Sequence, residues 1–135
     1  LFLSVQWIKK RRSKGGNVNK RKIGNKYENA GRHYLEGLGY KWVGSNLYTP
    51  YGEIDLLMKA GGSYYYVEVK YRANDKYGTP REAITPHKIK HMMKAAFSYA
   101  HENGLAGSHL KLAFLGVVPL ENGLSFDFIE NILSE

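Results

Sequence analysis

Gly52-Glu53-Ile54-Asp55-Leu56-Leu57-Met58-Lys59-Ala60-Gly61-Gly62-Ser63-Tyr64-Tyr65-Tyr66-Val67-Glu68-Val69-Lys70 is the stretch on which the reading of this chain turns. A Gly-Gly pair between two alternating runs predicts a β-hairpin with a two-residue loop, because glycine enters the positive-φ conformations of the favoured turns without steric cost. With Gly61 and Gly62 as the loop, Ala60 meets Ser63. Counting back then puts Asp55 opposite Glu68 and Glu53 opposite Lys70. Directly opposed side chains on one sheet face lie about 5 Å apart. Two carboxylates held that close repel unless a positive charge lies between them, and a divalent cation meets that requirement.

Alternation supports this register. Ile54, Leu56 and Met58 share a face with Tyr65, Val67 and Val69, which predicts a continuous apolar surface against a core. The other face carries Glu53, Asp55, Lys59, Glu68 and Lys70, with Leu57, Tyr64 and Tyr66 among them. A one-residue slip would bury the charges and expose the apolar set.

Outward from the hairpin, Ile23 to about Leu38 reads as a helix with Tyr27, Ala30, Tyr34 and Leu38 as its core stripe. Glu28 falls one step off that stripe, on the side of Gly31 and Leu35, where it can reach a site or simply sit exposed in a favourable helix field. Residues 40–48 read as a strand leading through Thr49-Pro50-Tyr51-Gly52 into the hairpin, which predicts a three-stranded antiparallel meander. Thr79-Pro80-Arg81-Glu82 predicts a capped short helical turn, and Thr85-Pro86 the start of a longer helix to about Glu102. Ile89, Met92, Met93, Ala96, Phe97 and Ala100 form the expected buried stripe of that helix. A strand from Leu110 to about Val118, a turn at Glu121-Asn122-Gly123 and a last strand complete the order. Helix, three strands, helix, two strands predicts an α/β domain around a mixed sheet.

Charge divides the chain unevenly. Lys9, Lys10, Arg11, Arg12, Lys14, Lys20, Arg21 and Lys22 carry as many positive charges as the whole net charge of +8. Residues 1–22 therefore read as a basic, flexible arm and residues 23–135 as the domain. The arm suits a phosphate backbone, with Lys9, Lys10, Arg11 and Arg12 as contacts, and equally suits a solubilising tail. Cysteine is absent, which excludes disulfides and thiolate metal sites and fits a cytoplasmic setting. No apolar run approaches the ~20 residues needed to cross a bilayer. Leu1-Phe2-Leu3 precedes its basic residues, the wrong order for a secretory signal.

The acidic face points to phosphodiester chemistry. Oxygen-only donors suit Mg²⁺ or Mn²⁺, so Asp55, Glu68 and the carbonyl of Val69 are the expected ligands. Lys70 lies on the same face and, kept charged by the carboxylates, would stabilise charge on a phosphate. Glu28 would complete the cluster if its helix crosses the sheet. The plain alternative is a cross-strand Glu53–Lys70 ion pair on a wet face, which leaves the Asp55–Glu68 opposition unexplained. Tyr64 and Tyr66 suit either base stacking or packing under a helix. His87 and His91 are spaced i, i+4 but lack the glutamate of a zinc-peptidase helix, since Lys88 follows His87, and they read as exposed. Lys88 and Lys90 read as phosphate contacts or as solvated decoration.

The ordered set Gly24-x-x-x-Glu28-x-Ala30, Gly39-Tyr40, Asn46, Gly52-Glu53-Ile54-Asp55-Leu56, Val67-Glu68-Val69-Lys70-x-Arg72 and Tyr77-Gly78-x-Pro80-x-Glu82-Ala83-Ile84, with Lys88 and Ala95 beyond, resembles the YraN-like family. That family is similar to archaeal Holliday-junction resolvases and to the PD-(D/E)xK nuclease superfamily. The resemblance implies a restriction-endonuclease-like core, with a mixed five-stranded sheet flanked by helices. It implies a Mg²⁺- or Mn²⁺-dependent endonuclease acting on DNA, branched or junction DNA included. Glu28, Asp55, Glu68 and Lys70 would be catalytic, and Arg72 and Lys88 would contact the nucleic acid. A homodimer would suit a four-stranded junction. The chain departs from the family at Ala113-Phe114-Leu115, where Arg-Phe-Asp is usual. The second reading is a nucleic-acid-binding module of the same fold with little or no turnover.

Overall fold

The hairpin forms in the expected register. The computed structural model describes residues 18–74, 76 and 78–133, with side chains from residue 26 onward. Strand β2 (Ile54–Ala60) pairs antiparallel with β3 (Ser63–Tyr71), with Ala60 opposite Ser63 and Leu56 opposite Val67. Gly61 (φ 56°) and Gly62 (φ 83°) make the loop, both in the left-handed region that a side chain would strain. Strand β1 (Lys41–Leu47) flanks β2 antiparallel, with an irregularity between Trp42 and Gly44. After helix α2 (Pro86–Glu102), β4 (His109–Leu120) pairs parallel to β3, and β5 (Gly123–Ile129) returns antiparallel. The sheet order is β1-β2-β3-β4-β5. This is an α/β fold with a five-stranded mixed sheet flanked by two helices, consistent with a restriction-endonuclease-like core.

Helix α1 (Val18–Gly37) starts at Val18 rather than Ile23. Its rotation about its own axis also differs from the expected stripe. Leu35 is fully buried and Gly31 is buried, whereas Leu38 is 53% exposed. A Cβ on Gly31 would lie 2.7 Å from Leu115 Cδ2, so glycine lets the helix backbone approach the sheet. Glu28, Gly31 and Leu35 are spaced i, i+3, i+7 and share the inward face. Glu28 is thereby carried onto the packed side rather than its edge.

Helix α2 covers the other side of the sheet. Its start is set by Thr85, whose Oγ1 accepts the Lys88 N–H at 3.1 Å, with Pro86 at the first helical position. Ala95, Ala96, Tyr99 and Ala100 are its buried residues, and Phe97, expected inside, is 56% exposed. The earlier turn, Pro80–Ala83, is a single turn of 3-10 helix in which Thr79 makes no side-chain cap. Pro80 is buried against Gly116 of β4, where a Cβ would come within 2.8 Å of the proline ring.

Both faces of the sheet are consequently core. Leu35, Leu56, Met58, Tyr65, Val67 and Leu115 pack under α1. Leu47, Leu57, Tyr66, Tyr99 and Leu112 pack under α2. The charge-bearing face of the hairpin is covered by α2, and of the two uses open to Tyr66 the structure shows packing under the helix, at 3% exposure. Ile54 departs from strict alternation and joins Leu47 and Leu57. It is the first residue of β2 and lies beyond the last β2–β3 pair. Ala113, Phe114 and Leu115 are buried in the middle of β4. No described helix is long and apolar enough to cross a membrane.

Candidate functional site

The site forms where β2 and β3 part. Their ladder ends at Leu56–Val67, one residue before Asp55 and Glu68. Asp55 Oδ2 accepts the Val69 N–H at 2.8 Å, so a side chain takes over from the backbone partner the ladder would have supplied. This bond holds the Asp55 carboxylate against β3. Burial pushes its pKa well above the ordinary 3.8, and the charge of Glu68, then that of Glu28, pushes it further. The Val69 N–H and the Lys88 ammonium oppose the rise. Glu28 from α1, Asp55 from β2 and Glu68 from β3 are thus brought into one electrostatic neighbourhood.

Glu68 has a partner from the helix above it. Its Oε2 lies 3.0 Å from Lys88 Nζ, with the glutamate side chain 19% and the lysine 43% exposed. Lys88 is in the first turn of α2, so the Thr85 cap that starts the helix also places the cation. Glu68, Lys70 and Lys88 line a cavity of ≈ 120 Å³, closed by Ala83, Ile84, Met92 and Phe114. Lys70 therefore stands beside Glu68 on a half-buried surface, as expected.

The remaining expected residues are placed differently. Glu53 precedes β2 and is exposed; no Glu53–Lys70 ion pair forms among the described residues, because the strands have already separated. Val69 is half-buried and packs toward the α1 side, with its N–H on Asp55. Arg72 follows β3, donates its N–H to Val117 O at 3.0 Å and is half-buried. Lys9, Lys10, Arg11 and Arg12 lie outside the described residues. His87 and His91 are both exposed, with ring centroids 4.5 Å apart. Among the described residues, no three His, Asp or Glu side chains are grouped closely enough to hold a metal ion. Of the carboxylates near Asp55, Glu68 acts on it most strongly and Glu28 more weakly.

Lys88 as the partner of Glu68 was not legible from spacing. The signal that could have found it is the capping residue: Thr85 puts Lys88 in the first turn of a helix that must cross the sheet.

Residues 27–130 match the profile described as "Uncharacterised protein family UPF0102". The chain belongs to this family. A UPF0102 protein of Vibrio campbellii is 33% identical over 120 residues, spanning 89% of this chain and 98% of its own length. One from Carboxydothermus hydrogenoformans is 31% identical over 116 residues, spanning 86% of this chain and 98% of its own length. A UPF0102 protein of Thermus thermophilus is 46% identical over 63 residues, 47% of this chain and 56% of its own length. The UPF0102 match includes the parting strands, the Pro80–Ala83 turn and α2, so every described site residue falls within it.

Proposed function

We propose that this UPF0102 protein is a divalent-cation-dependent endonuclease that hydrolyses DNA phosphodiester bonds, with a site of the PD-(D/E)xK kind. The observation that carries the reading is Asp55, pinned by the Val69 N–H and within the field of Glu68, which lines a cavity with Lys70 and Lys88. Asp55 and Glu68 supply carboxylate oxygens, the donors that suit a hard cation. Asp55, Glu68 and the Val69 carbonyl would hold Mg²⁺ or Mn²⁺. Such an ion supplies charge stabilisation at a phosphoryl oxygen and a bound water of lowered pKa.

The chain's own groups divide the remaining work. The Val69 N–H orients the Asp55 carboxylate and leaves its second oxygen available. Lys88, 3.0 Å from Glu68, restrains the direction of that carboxylate. Lys70 faces the same cavity and would stabilise charge developing on the scissile phosphate. Glu28 adds negative charge from the helix side.

The second reading, a binding module of the same fold, is favoured by one observation: Lys88 already neutralises Glu68, which weakens the case for a resident cation. Incubation with linear duplex, single-stranded and four-way-junction DNA, in Mn²⁺, Mg²⁺ or EDTA, separates the two. The nuclease reading expects products only with metal, and their loss in Glu68→Ala and Lys70→Ala with DNA binding retained. Wild-type protein that binds DNA but yields no product in either metal would leave the module.

A further inference from the structure

Helix α2 has a second face. Between Pro86 and His101 it contains no acidic residue, while His87, Lys88, Lys90, His91, Lys94 and His101 are all basic or titratable to cations. Lys88 turns inward to Glu68. His87, Lys90, His91, Lys94 and His101 are exposed, and Phe97 is exposed among them. Residues three and four apart on a helix are neighbours, so these make one outward stripe.

A second ring stands beside that stripe. The Thr49–Gly52 turn is tied by four local bonds, one of them from the Thr49 N–H to Gly52 O at 3.1 Å. Thr49 Oγ1 accepts the Tyr51 N–H at 3.0 Å and donates to Gly52 O at 2.6 Å, and the Gly52 N–H reaches Thr49 O at 3.2 Å. Gly52 has φ 127°, which a side chain would strain, and Thr49 is buried. Tyr51 is therefore presented outward by a stiff turn, 51% exposed, with the Lys94 ammonium 6.0 Å from its ring centroid. Phe97 is one helical turn beyond Lys94. Two open rings, with Lys94 beside one and a helical turn from the other, on a stripe that meets no carboxylate before Glu102 at the helix end, form a surface complementary to an unpaired strand. Bases stack on the rings, and phosphates meet the lysines. A duplex offers the same phosphates but no open base faces.

We infer that the outer face of α2 binds a single-stranded polynucleotide segment, with Tyr51 and Phe97 as stacking rings and Lys90 and Lys94 as phosphate contacts. The surface adjoins the site. Glu53, immediately after the Thr49–Gly52 turn, shares a crevice with Glu68, Met92 and Ala95. A strand lying on α2 would thus be led toward the acidic cavity. The inference rests on the nucleic-acid reading above and narrows its substrate to one with unpaired bases.

The test uses the full chain in EDTA, so cleavage plays no part. Fluorescence anisotropy compares labelled oligo(dT), oligo(U) and a blunt duplex of equal length. Wild type should prefer the single strands, and the stronger of the two assigns DNA or RNA. Tyr51→Ala and Phe97→Ala should each weaken single-strand binding roughly five-fold or more while leaving duplex binding within about two-fold. Tyr51→Trp and Phe97→Tyr should restore it. The basic arm acts on both kinds of probe, so the ratio removes its contribution. Equal losses on both probes, no loss on either, or failure of the aromatic replacements to rescue would overturn the inference. A surface that instead docks a protein would give no ring-dependent preference. Ring-dependent preference in a chain that never cleaves would retain this inference and end the nuclease reading; cleavage with neutral rings would do the reverse.

Discussion

The two sides of the sheet are filled by different means. Under α1, large side chains interlock: Leu35, Leu56, Met58 and Leu115 are fully buried, and Tyr34 stacks on Phe126 at 4.2 Å. Gly31 brings the helix close enough for that contact. Under α2, the helix contributes mainly alanines at its buried positions, and the space toward its N-terminus is a cavity shared by Glu68, Lys70 and Lys88. The first side is built for stability. The second keeps charges, whose burial costs folding energy unless partners offset it.

This contrast can be broken most strongly at Leu35. Leu35→Ala deletes a fully buried side chain. It should lower stability by about 2–5 kcal/mol, read by urea denaturation. A loss below about 1 kcal/mol would mean the α1 side is not the tightly packed one.

Asp55 should respond in the opposite sense. Its pKa is raised in the folded protein, so the native state binds more protons than the unfolded chain above the ordinary carboxylate range. Stability should fall as pH rises from near 3.8 through the folded value, then level off. Asp55→Asn keeps an acceptor for the Val69 N–H and removes the charge. It should raise stability at neutral pH by on the order of 1 kcal/mol and flatten that pH dependence. Mn²⁺ should raise the melting temperature of wild type but not of the variant. A destabilised Asp55→Asn would erase the distinction between the two sides.

A smaller effect is expected at Arg81. Its guanidinium grips Asp127 of β5 by two bonds, 2.9 and 2.6 Å, and lowers the carboxylate's pKa. Both side chains are substantially exposed, so Arg81→Ala should cost about 0.2–1 kcal/mol at neutral pH. Because the folded pKa lies below the ordinary 3.8, that contribution is complete above it and disappears as pH falls through the folded value. Wild type and variant should then converge in acid-denaturation curves. The turn that carries Arg81 also brings Ala83 to the cavity, so the comparison sharpens if the variant loosens the site without altering the α1 side.

Local rules were legible wherever one residue type has one conformational use. Gly61-Gly62 set the hairpin and its register, and Thr85-Pro86 set the start of α2. Helix rotation was not legible, because α1 has aromatic and apolar residues on more than one side. Tyr27 and Tyr34 looked like the stripe, while Leu35 proved central once Gly31 admitted Leu115. Phe97 looked buried by the same periodicity and is outside. Glu53–Lys70 failed as a pair because register says which residues are opposed, not where a ladder stops.

From its residues alone, the chain determined the order of its elements, the hairpin register that leads up to Asp55 and Glu68, and the start of α2. Those are short-range consequences of glycine φ freedom, strand alternation and capping. Which helix covers the acidic side, that Lys88 reaches Glu68, and that Glu28 turns inward were decided only by packing. Such contacts join segments far apart in sequence, and they depend on side-chain volumes meeting across a sheet, which no local pattern encodes.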